Sequence, residues 1–155
     1  MEKFPGYKRL FRFDADCKLK TLEFMRSSPS LDGAAINIFA HILSAENMWL
    51  SRLELGVKAP PPKLWREGRT LDQCADETES VIGHWTRFLG GLSEEDYSKQ
   101  VSFINLKGIQ VDRPVYDLLT QVLNHSTYHR GQIATLTGKR EVEAPPTDYI
   151  FFPPD

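Results

Sequence analysis

The stretch that decides the fold is Leu123-Asn124-His125-Ser126-Thr127-Tyr128-His129-Arg130-Gly131-Gln132-Ile133. Its two histidines are four residues apart, which on a helix places both imidazoles on one face, one turn apart. The same face carries an apolar stripe at steps of three and four: Val115, Leu118, Leu119, Val122, Ile133 and Leu136. The stripe predicts an amphipathic helix whose histidines point into a core. An unpaired buried polar group costs about 1–3 kcal/mol, so the rings either share a metal ion or have ordinary hydrogen-bond partners.

Two further helices are predicted in the first third of the chain. One spans residues 7–26 and ends before Ser27-Ser28-Pro29-Ser30. The other spans residues 33–55, with Asp32 as its N-cap and Gly56 as its C-terminal stop. This second helix is apolar on most sides, so we expect it to be the most buried helix of the fold.

The rest of the chain adds a third and a fourth helix with a predicted β-hairpin between them. The third helix spans residues 70–89, and Thr70 with Gln73 matches a capping box. Residues 99–112 alternate apolar and other side chains around a turn, which predicts a short hairpin. The fourth helix spans residues 114–138, because proline suits a first helical turn.

Four helices of about twenty residues, without alternating strands, predict an all-α fold, a four-helix bundle. Residues 57–69 contain Pro60-Pro61-Pro62, a run that cannot be helical, so they are expected to form a long crossover between helices two and three. The predicted helix order is therefore up-down-down-up, within a single domain over residues 1–155. The apolar cluster Tyr149-Ile150-Phe151-Phe152 is expected to pack back on the bundle.

The composition argues against several classes of partner. A net charge of −2 gives no electrostatic case for nucleic acid or for an anionic membrane surface, so we expect neither partner. No apolar stretch is long enough to span a bilayer, and no signal peptide is visible. Cys17 and Cys74 lie far apart and outside any CxxC motif, which predicts reduced thiols in a cytoplasmic protein.

A metal site with an open position commonly has three protein ligands, so a third ligand is expected beside the histidine pair. The candidates are His41 in the second helix and His84 in the third. The surroundings of His41 are the more uniformly apolar, which makes it the predicted third ligand. Asp14, Glu46 or Glu79 could be a fourth ligand or support the others, and the sequence does not choose among them.

The chain resembles the DinB-like family in three segments: residues 125–133, Ala40-His41-Ile42-Leu43-Ser44-Ala45-Glu46-Asn47-Met48-Trp49-Leu50, and Pro145-Pro146-Thr147-Asp148-Tyr149-Ile150-Phe151-Phe152. The family fold is a four-helix bundle in the order predicted above. The resemblance implies one divalent metal ion, zinc or nickel, held by His41, His125 and His129. It also implies a homodimer.

Some relatives transfer low-molecular-weight thiols, such as bacillithiol or mycothiol, onto electrophiles. The resemblance therefore implies a metal-dependent thiol transferase with a small-molecule substrate. A metal-dependent hydrolase and a metal-binding, stress-associated bundle without catalysis are the alternatives. No catalytic residue is identified, since Tyr128 and Arg130 point away from the ligands and are interpreted as packing and surface charge, respectively. Trp49, Trp65 and Trp85 are interpreted as packing or cleft-wall residues.

Overall fold

The computed structural model describes residues 6–28, 32–137 and 143–153. Its frame is four helices: α1 (Tyr7–Ser27), α2 (Gly33–Leu55), α3 (Leu71–Gly90) and α4 (Val115–Thr137). An antiparallel hairpin of β1 (Gln100–Ile104) and β2 (Gln110–Pro114) precedes α4. Short 3-10 turns lie at Gly56–Lys58, Asp96–Ser98 and Tyr149–Phe151. The predicted end of the fourth helix at residue 138 lies outside the described residues.

Local sequence signals account for where the helices begin and end. The Asp32 side chain accepts a hydrogen bond from a backbone N–H in the first turn of α2. Thr70 and Gln73 make both hydrogen bonds of the predicted capping box at the start of α3. Gly56 ends α2 with φ +58°, and a Cβ atom there would lie 2.9 Å from the backbone oxygen of Ser102. Glycine therefore allows both the turn and the close approach of β1.

The contacts between helices confirm the up-down-down-up order. The Tyr7 hydroxyl donates to the backbone oxygen of Tyr116 over 3.0 Å, so α1 and α4 begin together and run parallel. The rings of Phe11 and Trp85 lie 4.7 Å apart, early in α1 and late in α3, so these helices are antiparallel. Arg52, late in α2, shares a cleft with the early part of α4, which makes that pair antiparallel too. Both α1 and α2 contact α3 and α4.

Arg52 connects the hairpin to α2, beside a direct contact between the Trp49 and Phe103 rings. The Arg52 guanidinium lies 4.8 Å from the ring centre of Trp49 and 5.0 Å from that of Phe103. It also donates a hydrogen bond of 2.9 Å to the backbone oxygen of Ile104. These contacts set the hairpin over one end of α2. Among the described residues, no helix combines the length and the apolar character that crossing a bilayer requires.

Two expectations about apolar side chains are correct only in part. Tyr149 and Phe152 contact an aromatic ring of α1, as expected for a tail that packs back. Ile150 and Phe151, however, are 83% and 74% exposed, because the 3-10 turn directs them outward. On α4 the predicted stripe is buried except for Leu136, which is 38% exposed in the last turn.

Candidate metal centre

Three histidine side chains from two helices meet inside the bundle. The Nε2 atom of His125 lies 3.2 Å from Nε2 of His41 and 3.1 Å from Nε2 of His129. One is on α2 and two are on α4, so the packing of α2 against α4 assembles the group. Within the described part of the chain, it is the only cluster of three or more His, Cys, Asp or Glu side chains close enough to share a metal ion.

Oxygen acceptors fix the orientation of two of the rings. The Nδ1 atom of His41 lies 3.1 Å from the backbone oxygen of Leu64. The Nδ1 atom of His129 lies 2.7 Å from the side-chain oxygen of Gln132. An oxygen acceptor requires the proton on Nδ1, which leaves the lone pair of Nε2 facing the centre of the group. This is the tautomer that a metal-binding imidazole needs when it coordinates through Nε2.

The donor set fits a divalent ion of the kind that imidazoles bind, such as zinc or nickel. With metal–nitrogen bonds of 2.0–2.1 Å, tetrahedral angles separate two ligand nitrogens by about 3.3 Å, and right angles by about 2.9 Å. The observed separations of 3.1 and 3.2 Å lie between these values. His41 and His129 carry their protons on Nδ1, so without a cation only His125 could place a proton on Nε2. The Nε2 lone pairs of the other two rings would then compete for that one proton.

Two of the histidine rings, His41 and His125, also have the protonation state that metal binding requires. Burial lowers the pKa of His125, and the charges that His129 and His41 would carry add to the shift, which brings this pKa to about 4. Burial likewise lowers the pKa of His41, against the opposing effect of the hydrogen bond to Leu64. Both rings are therefore neutral at pH 7 and can donate a lone pair without first losing a proton.

An exposed tryptophan covers one side of the group. The Trp65 indole stacks on the His41 ring at a centroid distance of 3.9 Å and an interplanar angle of 7°. It also meets the His129 ring edge-on at 6.5 Å. Trp65 is 54% exposed, so it covers the rings from the solvent side rather than packing in the core. Trp65 directly follows Leu64 in the crossover loop. This loop therefore supplies both the backbone oxygen that accepts the His41 hydrogen bond and the indole that stacks on the His41 ring.

Ion pairs hold this loop in place. Arg66 donates to the Ser44 hydroxyl on α2 over 2.8 Å, and makes two hydrogen bonds of 2.8 and 2.9 Å to the Glu77 carboxylate on α3. Arg69 donates to the same carboxylate over 2.5 Å. Charge-assisted bonds of this kind are about twice as strong as neutral ones. They fix the crossover to both neighbouring helices, next to the residues that touch His41.

Four buried charged side chains form a chain across the bundle beside the histidines. The Lys18 ammonium lies 2.6 Å from the Glu46 carboxylate and 3.1 Å from that of Asp14. Asp14 in turn pairs with Arg130, which also bonds the Ser126 hydroxyl. All four charged residues are at most 6% exposed. We name them the buried ion chain; it joins α1 to both helices that carry the histidines.

The buried ion chain contains a carboxyl group with an unusual pKa. Burial raises the pKa of Glu46 to about 7, although the nearby charge of Lys18 opposes the rise. The pKa of Asp14 is also pushed up by burial, but Lys18 and Arg130 outweigh that effect and the net shift is downward. Asp14 is thus the ionised partner of both cations, whereas burial makes the ionised form of Glu46 less favourable than that of an ordinary glutamate.

The structure separates the other predicted site residues from the histidine group. Asp14 and Glu46 bind Lys18 and Arg130 rather than a histidine. Glu79 and His84 are exposed on α3. Of the two residues that flank the ligands, Tyr128 is 65% exposed and Arg130 is buried. The interpretation of Arg130 as a surface charge is therefore wrong, because its partner Asp14 lies 116 positions away and is invisible in the local sequence.

Both cysteines are buried free thiols, as expected from the sequence. Burial raises the pKa of Cys17 and Cys74, so neither has the thiolate character of a nucleophile at neutral pH. Two residues that bond to the histidine group, Leu64 and Gln132, were not predicted, and neither was the stacking of Trp65 on His41. Gln132 follows His129 by three positions on the same helix, so its spacing was a usable signal.

Comparisons with known proteins identify the fold and the family. The chain is similar over most of its length to a solved structure, a DinB-like protein from Bacillus cereus ATCC 10987. The two share 18% sequence identity and a TM-score of 0.68, with 94% of this chain and 99% of the other covered, which establishes a shared fold. A search of curated proteins gave no match. The family model described as "DinB family" matches residues 18–154, a range that includes all three histidines. The chain belongs to the DinB family.

Proposed function

We propose that this protein is a divalent-metal-dependent enzyme in which His41, His125 and His129 hold one zinc or nickel ion. The observation that carries the proposal is the convergence of three Nε2 atoms with two Nδ1 atoms bonded to oxygen. Three ligands leave room for a substrate atom, which is the pattern of catalytic rather than structural sites. Exposed Trp65 beside the rings is consistent with a cleft that a small molecule can enter.

The residues of the site have separable roles in this proposal. When bound, the ion supplies positive charge that stabilises an anionic nucleophile such as a thiolate. The neutral imidazoles leave that charge uncancelled, because they add no negative charge of their own. Leu64 and Gln132 hold the His41 and His129 rings in the required tautomer. The Trp65 indole excludes water from one face of His41.

The reaction we propose is the transfer of a low-molecular-weight thiol to an electrophile. The thiol releases its proton to solvent, and its sulfur attacks an electrophilic carbon of the second substrate. A carbon–sulfur bond forms, and the leaving group departs with the electron pair of the bond that breaks. Resemblance to thiol-transferring relatives supports this reaction. The same resemblance supports two further proposals, that the protein is cytoplasmic and that it is a homodimer. Light scattering in solution tests the dimer.

The test is a conjugation assay with metal-loaded protein. Zinc- or nickel-loaded protein is incubated with monochlorobimane and, in turn, cysteine, coenzyme A, glutathione, bacillithiol and mycothiol. We expect metal-dependent conjugation with at least one thiol, its loss in His125→Ala, and its retention in His84→Ala, which removes an exposed histidine instead. A protein that binds metal but conjugates no thiol contradicts the transferase. Hydrolysis of ester substrates by that protein would then indicate the hydrolase, and inactivity in both assays the non-catalytic bundle.

A further inference from the structure

A cavity of about 250 Å³ lies between α1 and α3, and none of the histidines lines it. Its wall is apolar and is formed by Phe11, Ala15, Ile82, Trp85 and Leu89. An apolar cavity of about 150 Å³ is enough for benzene, so this one can hold an aromatic ring that carries a short side chain. We name it the α1–α3 cavity.

The charged groups around the α1–α3 cavity are basic. Exposed Lys8 and Arg12 line it, together with the buried Lys18, whose ammonium belongs to the ion chain. No acidic side chain is among the described residues that line it. The positive charge of Lys8 and Arg12 attracts an anion to the opening of the cavity.

Trp85 adds a buried donor for which the described residues provide no acceptor. Its ring packs against Phe11 at 4.7 Å and against Phe88 at 5.9 Å, and the residue is 2% exposed. Among the described residues, no acceptor lies within hydrogen-bond distance of its indole nitrogen. Buried donors are nearly always paired in native proteins, so this nitrogen is a place for an oxygen atom of a ligand.

We propose that the α1–α3 cavity binds a small aromatic carboxylate. The ring occupies the apolar space between Phe11, Trp85 and Leu89, and the carboxylate lies beside Lys8 and Arg12. A polar oxygen at the far end of the ring accepts the indole N–H of Trp85. The site is separate from the histidine group, so the proposal does not depend on the proposed function.

The probe that tests the site is 3-(4-hydroxyphenyl)propionate, titrated by calorimetry and by the indole signals in a nitrogen–proton correlation spectrum. We expect a Kd below about 1 mM, a shift of the Trp85 indole signal, and at least tenfold weaker binding of the neutral amide of the probe. The Kd should be the same in His125→Ala. No binding at 5 mM, equal binding of the amide, or loss of binding in His125→Ala overturns the proposal.

Two variants locate the binding. Ala15→Leu fills the cavity and should abolish binding, while Lys8→Glu with Arg12→Glu should weaken it at least tenfold. The matched control is Lys58→Glu with Lys107→Glu, which makes the same change in net charge at exposed positions outside the cavity and should leave the Kd unchanged. Circular dichroism checks that each variant is folded. Binding that survives in Ala15→Leu contradicts the proposed location. Binding that falls equally in both charge-reversal variants contradicts the proposed recognition of charge.

Discussion

Replacing Asp14 with asparagine removes one negative charge from the buried ion chain and leaves Arg130 and Lys18 with fewer partners. Asp14 is 1% exposed and contacts both cations. Breaking a buried ion pair from one side costs about 3–5 kcal/mol, because the remaining charge stays buried without compensation. For a chain of this length, each kcal/mol lowers Tm by about 2–4 °C. We therefore expect Asp14→Asn to lower Tm by about 6–20 °C.

The same helix supplies the control for this experiment. Asp16 makes an ion pair of 2.7 Å with Lys20, and both side chains are at least 37% exposed. Exposed pairs contribute about 0–1 kcal/mol, so Asp16→Asn should lower Tm by no more than about 4 °C. Thermal unfolding followed by circular dichroism in the presence of a chelator compares the two variants without a contribution from metal. Equal Tm values for Asp14→Asn and Asp16→Asn would refute the assignment of a stabilising role to the buried ion chain.

Three further predictions concern single residues. Gly56→Ala should destabilise the fold by about 1–3 kcal/mol in urea unfolding, because φ is +58° and the new Cβ atom would press on the Ser102 backbone oxygen; an unchanged midpoint contradicts this. The stability of Glu46→Gln relative to the unchanged protein should increase as pH rises from about 4.5 to 7. The raised pKa of Glu46 means that its ionisation in this range destabilises the folded state, and glutamine does not ionise. A stability difference that does not change with pH contradicts this. Gln132→Ala removes the acceptor of the His129 Nδ1–H and should weaken metal binding about 10–100-fold in a chelator competition, and an unchanged affinity contradicts this.

The sequence was sufficient where a local rule determines the structure. Asp32, the Thr70–Gln73 capping box and Gly56 set helix ends through contacts within a few residues, so their types and spacing predicted them. The bundle order followed from one long crossover that could not be helical. The spacing of His125 and His129 placed both on one face of α4, and the apolar surroundings of His41 identified the ring that meets them.

The sequence was insufficient where a contact depends on the path of a distant segment. The Leu64 oxygen and the Trp65 ring reach His41 only because Arg66 fastens the crossover to α2 and α3. The buried position of Lys18 follows from carboxylates on two helices, and a lysine in a helical pattern ordinarily predicts a solvated face. No periodicity or spacing carries such information, because each contact joins elements that only the folded chain brings together.

The measurement that tests the account most directly is the metal content of purified protein by mass spectrometry after equilibration with zinc or nickel and removal of loosely bound ions. The unchanged protein and His84→Ala should each retain about one divalent ion per chain, and His125→Ala should retain almost none, because a site of three ligands loses its central nitrogen. Retention of one ion per chain by His125→Ala, or none by the unchanged protein, would contradict the assignment of the three histidines as a metal centre.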